Sequence, residues 1–73
     1  MINETFTTHI TFSSGDSHKE EPITGDRLMS TITRLVHGPA AMAGMIKEVK
    51  IVDQLDRIVF LAKDNKIVFP SQK

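Results

Sequence analysis

The chain has no cysteine, no tryptophan and no tryptophan-like substitute for aromatic bulk beyond four phenylalanines, and its formal charge is zero. Each absence closes a route. Without cysteine there is neither a disulfide framework nor a thiolate zinc site. A domain of 73 residues is then left with few devices for holding itself together. Chains of this size bury only about 60% of the surface they expose when unfolded, and small scaffolds usually rely on a staple, a metal or a partner. A homo-oligomer, such as a homodimer, or a larger protein partner is therefore expected. Nine Lys and Arg balance nine Asp and Glu, so no global field draws the protein to nucleic acid or to an anionic membrane.

Function classes fall away in the same manner. No phosphate-cradling loop or strand-linked glycine fingerprint is present, and convergent catalytic groups are in short supply. The expectation is a non-enzymatic protein with no cofactor and no small-molecule substrate. No apolar run approaches the roughly 20 residues that a membrane-spanning helix requires. Met1-Ile2-Asn3-Glu4-Thr5 lacks the basic segment and apolar stretch of a secretory signal. A cytoplasmic protein is the simplest expectation. No internal repeat, low-complexity tract or linker divides the sequence, so residues 1–73 read as a single domain.

What is present is clearest in the last third. Lys50-Ile51-Val52, Arg57-Ile58-Val59-Phe60-Leu61-Ala62 and Lys66-Ile67-Val68-Phe69 repeat a β-branched and aromatic signature with polar turns between. Short runs that are apolar on both faces predict a buried antiparallel meander. Asp64-Asn65 suits a two-residue hairpin turn, since both residue types tolerate positive φ. Near the start, Phe6, Thr8, Ile10 and Phe12 alternate with Thr7, His9, Thr11 and Ser13, which predicts a half-exposed strand. After the Gly15-Asp16 turn, Ser17 to Glu21 reads as a weak, short edge strand that ends at Pro22.

The period changes at Thr24. Leu28, Ile32, Leu35 and Val36 fall at i, i+4, i+7 and i+8, one side of a helix. Thr24 or Asp26 can cap its start, and His37, Gly38 and Pro39 mark its stop, with Gly38 expected in the left-handed conformation. Ala40 to Ala43 reads as a helical turn, followed by a strand from about Ile46 to Val52. The fold class is α+β: one α-helix packed on a small antiparallel sheet, in the order β-β-α-β-β-β.

Candidate sites follow from this layout. Arg27, Ser30, Thr31, Arg34 and His37 occupy the helix side opposite the apolar stripe, and Arg27 and Arg34 are two turns apart on a shared face. Guanidinium groups beside hydroxyls can grip a partner's carboxylates or a nucleic-acid phosphate. His37 also suits the carbonyl end of the helix. Ala41, Met42 and Met45 lie in a stretch poor in charge. They form an apolar contact surface if exposed, while the methionines there and at Met29 are read first as fillers of irregular core gaps. Asp16, His18 and Glu20 would share one strand face and include metal-ligating types, but the ligand motif is missing and a solvated loop is the preferred reading, so no metal is assigned. His9 reads as a half-exposed strand residue without a carboxylate partner. The Thr-rich first strand or the terminal Lys66 to Phe69 strand can pair across a two-fold axis.

Small size, lack of cysteine and a compact β-rich pattern resemble the accessory proteins encoded by bacterial viruses and prophages. The resemblance implies a protein that works by occupying a host protein's surface. Three functional readings stand, in this order: a protein-protein interaction module, a nucleic-acid-binding regulator that uses Arg27 and Arg34, and a metal-dependent or acid-base enzyme centred on His9 or His18.

Overall fold

A computed structural model describes residues 4–64 and 66–69. The elements run β1 (Thr5–Phe12), β2 (Ser17–Lys19), β3 (Ile23–Thr24), a 3-10 turn (Gly25–Arg27), α1 (Leu28–His37), α2 (Pro39–Met42), β4 (Ile46–Val52), β5 (Ile58–Lys63) and β6 (Lys66–Phe69). All strands pair antiparallel in the order β2-β1-β4-β5-β6, and the two-residue β3 also pairs with β1. The fold is α+β, with helix laid on a small antiparallel sheet.

Alternation in β1 works as its sequence predicts. Thr8 and Ile10 are buried and Phe6 and Phe12 pack against the core, while Thr7, His9 and Thr11 stay half-exposed. In register, Ile10 faces Val49, Val49 faces Ala62, and Ile51 faces Phe60. Directly opposed residues share a sheet face, so these side chains form one apolar layer. Leu35 and Val36 of α1 join that layer, with Leu28 and Ile32 at its margin. An isolated helix of ten residues is shorter than the roughly 12–15 needed for stability in water. The apolar stripe, rather than intrinsic propensity, therefore holds α1 in place.

The helix ends differ from expectation. Neither Thr24 nor Asp26 caps α1; the Thr24 hydroxyl donates instead to the Asp26 carboxylate, and Arg27 occupies the N-cap position without a side-chain bond. That hydroxyl is the main cause holding the Asp26 carboxyl below its ordinary value. Gly38 is extended, with φ −79° and ψ 179°, rather than left-handed. The reason is that a second helix starts at once. Gly38 N–H donates to the Arg34 carbonyl at 3.0 Å to close α1, and its own carbonyl accepts from Met42 N–H at 2.9 Å to open α2. Pro39 then sits in the first turn of α2, where its missing N–H costs nothing. Left-handed backbone appears one loop later, at Gly44 with φ +74°.

The terminal meander is antiparallel but not fully buried. Phe60 and Ala62 are covered, whereas Ile58 and the whole of β6 are exposed. The β4–β5 connection is a type I turn with a left-handed residue after it: Asp56 N–H donates to the Asp53 carbonyl at 3.0 Å, and Asp56 takes φ +67°. In the β5–β6 hairpin Asp64 takes φ +51°, as its turn chemistry predicts; Asn65 lies outside the described residues.

Three stability outcomes follow. The Thr8 hydroxyl is buried without a hydrogen-bond partner among the described residues, so Thr8→Val should stabilise the fold by about 1 kcal/mol. Calorimetry should show a melting temperature higher by roughly 4–8 °C. A Cβ added at Gly38 would stand 2.1 Å from the Arg34 carbonyl oxygen, and Gly38→Ala should cost about 1–3 kcal/mol in urea unfolding. The Asp53 carboxylate accepts from the N–H groups of Leu55 and Arg57, each at 2.9 Å, and from Arg57 Nε at 2.8 Å. The Arg57 backbone N–H is the largest cause holding its pKa below the ordinary 3.8. A depressed folded-state pKa contributes stability above the unfolded value and loses it as pH falls through the folded one. Denaturation followed below pH 3.8 should therefore be steeper for the native protein than for Asp53→Ala.

Candidate functional site

The 3-10 turn and α1 position Arg27, Ser30, Thr31 and Arg34 around one open groove of about 340 Å³, completed by Glu20 from the β2–β3 connection and Ile23 from β3. Four of the five helix residues expected to act together are thus neighbours. His37 is not among the groove's lining residues and stands exposed in the last turn.

Inside the groove the side chains have distinct duties. Thr31 is only 8% exposed, which corrects its placement on the outward side. Its spacing explains this, because Thr31 lies three residues after Leu28 and four before Leu35, within the apolar stripe. The Ser30 hydroxyl donates to the Arg27 carbonyl at 3.0 Å and so serves the helix start. Arg34 donates to the Glu20 carboxylate at 2.9 Å. Arg27 is exposed and makes no ion pair among the described residues.

This arrangement sets what the groove can hold. Two guanidinium groups against one carboxylate leave a single surplus positive charge, and an incoming anion must compete with Glu20 for Arg34. A lone carboxylate can be taken by Arg27 in a two-pronged contact. A run of phosphates would meet the Glu20 charge beside it, which opposes nucleic-acid contact on this helix face.

The apolar candidates separate. Ala41 is 7% exposed and belongs to the interior, so it is no contact residue. Met42 and Met45 are 75% and 56% exposed, and Met29 is also exposed. The thioethers are surface groups, contrary to the core-filling reading. Met45 borders a second depression of about 320 Å³ with Phe12, Ser13, Ser14, Asp16 and Gly44. There the Ser13 hydroxyl donates to the Gly44 carbonyl at 2.7 Å and fastens the loop before β4 to the end of β1.

Asp16, His18 and Glu20 do not converge. Asp16 accepts from the Ser14 hydroxyl, Glu20 turns to Arg34, and His18 lies in β2. Among the described residues no three His, Asp or Glu side chains form a cluster that could hold a metal ion. The Thr-rich first strand is also not an edge along most of its length, since β4 pairs with one side of β1 and β2 and β3 with the other. Among the described residues the terminal strand β6 is one edge of the sheet, and the short β2 and β3 form the other.

Several exposed groups run against their residue type. Ile58, Ile67, Val68 and Phe69 all lie open on the β5–β6 margin, and Leu55 projects from the turn before it. Their signal was present in strands apolar on both faces, because one helical layer can cover only one side of a sheet. The Glu20–Arg34 pair spans fourteen positions and left no periodic trace.

Compared with known proteins, the chain matches no family model, no curated protein and no solved structure.

Proposed function

We propose that this chain is a non-enzymatic protein-protein interaction module of the cytoplasm, a small accessory protein of the type encoded by phages and prophages, which binds and modulates a host protein. The observation that carries the reading is the apolar margin of the sheet. Ile67, Val68 and Phe69 are consecutive, all exposed, and sit on a strand whose outer edge has no partner among the described residues. Single exposed apolar residues are ordinary, but a contiguous apolar edge with free backbone donors and acceptors is a template for another chain. Met42 and Met45 supply a second apolar surface beyond α1.

The edge can serve a homodimer or a partner's strand, since main-chain pairing gives affinity in both cases. A nucleic-acid regulator built on Arg27 and Arg34 is the second reading. The open guanidinium of Arg27 supports it, and the Glu20 carboxylate on Arg34 weighs against it.

Sedimentation and affinity capture test the proposal together. At tens of micromolar the native protein should sediment above the 8.2 kDa of one chain or retain a near-stoichiometric protein from the producing cell's extract. Val68→Lys should abolish the self-association and Met42→Asp should weaken retention of the partner. Both exposed substitutions should leave thermal stability within about 0.5 kcal/mol. A solitary 8.2 kDa species that retains no protein would end the proposal.

A further inference from the structure

The sheet has a second face, and its charge is not that of the chain. Register places Lys19, His9, Lys50, Leu61 and Phe69 in one row across the strands, and Ser17, Thr11, Glu48, Lys63 and Lys66 in the next. Both rows lie opposite the buried Ile10, Val49 and Ala62, hence away from α1. They carry four lysines against one glutamate, a surplus of three positive charges in a chain whose formal total is zero. Leu61 is half-buried among them and Phe69 is 47% exposed, with Ile58 open at the head of β5.

We infer that this uncovered face is a docking surface for an acidic, amphipathic helix of a partner protein, which would form a third layer opposite α1. The inference rests on the interaction-module reading and names its surface and the partner's chemistry. Charge complementarity selects the occupant. A second copy laid face to face would set two like-charged surfaces together, which is repulsive. Single-stranded nucleic acid would find cations but little to stack on. Phe60 is buried and Phe6 and Phe12 are packed against the core, leaving Phe69 as the one open phenylalanine among the described residues, with only the half-exposed His9 imidazole beside it in the row, whereas such platforms stack successive bases on several large rings. A helix with apolar residues on one stripe and carboxylates beside it matches both halves of the surface. Its apolar stripe would rest on Leu61 and Phe69, and its acids would reach Lys50 and Lys63.

A synthetic peptide of about 18 residues, with Leu at helical i, i+3, i+4 and i+7 spacing and Glu elsewhere, is the direct probe. Amide shifts on titration into labelled full-length protein should map to His9, Lys50, Leu61 and Lys63. Binding should weaken about ten-fold or more in Lys50→Glu/Lys63→Glu, and again as salt rises. The same peptide with Lys in place of Glu should not bind. Shifts confined to α1, α2 or Met45 would overturn this surface and leave the interaction-module reading standing. Insensitivity to the lysine substitutions would overturn it as well. Failure of the acidic peptide, with an oligothymidylate binding at Lys50 and Lys63, would overturn both readings.

Discussion

Leu35 and Val36 cluster with Ile10, Val49, Ile51, Phe60 and Ala62, and this contact between one helix face and one sheet face is what the remaining structure depends on. Neither side is self-sufficient. The helix is too short to persist alone, and a sheet with an uncovered apolar layer would not be soluble as a single species. Burying each Leu, Ile, Val or Phe contributes about 1.5–3 kcal/mol, and nearly all of it is gathered on this one interface. The shortest dimension of the molecule is 19 Å, the depth of two layers and no more. Apolar residues that point from β5 and β6 to the other side, or stand at the sheet margin, therefore have no layer of this chain to cover them among the described residues.

Charge is distributed by turn chemistry. Asp56 and Asp64 occupy left-handed turn positions, and Asp53 folds its carboxylate back onto the Leu55 and Arg57 N–H groups. Short acidic side chains suit these roles because they bond locally to the backbone. These three aspartates are thereby drawn to the rims of the sheet, and Glu48 is left as the one acid among the lysines of the two outward rows. Lysine's long stem lets it lie over an apolar surface with its charge in water. Neutral composition rules out a global field, yet pairing across strands assembles a local one.

The sequence was most informative where periodicity and turn residues agreed. Alternation from Phe6 to Phe12, the stripe through Leu28, Ile32, Leu35 and Val36, and the passage from a helical turn into a strand at Ile46 all follow from local rules. Thr31 sits in the apolar stripe by its angular position although its hydroxyl suggests the outward side, because a threonine methyl can pack in such a stripe. Gly38 has the local signature of the usual left-handed exit from a helix, and the adjacent Pro39 makes it an entrance to another. The groove was half legible. Arg27 and Arg34 share a face by spacing alone, but Glu20 and Ile23 reach it only through the tertiary path from β2 to β3. Register was beyond periodicity altogether, since no single strand shows that Lys50 will stand between His9 and Leu61.

Edge and face are compatible surfaces for geometric reasons. Antiparallel pairing of β6 with a second copy requires a two-fold axis perpendicular to the sheet. That operation reverses strand direction but keeps each face on its own side, so both helical layers would lie together and both lysine-rich faces would lie opposite them. Stacking by the faces would instead hide these lysines against each other. A dimer made at the edge would thus present two copies of the cationic surface on one continuous sheet, and a partner carrying two acidic segments would gain from their joint effective concentration. The same edge that makes the lone chain marginal would then double its capacity to bind.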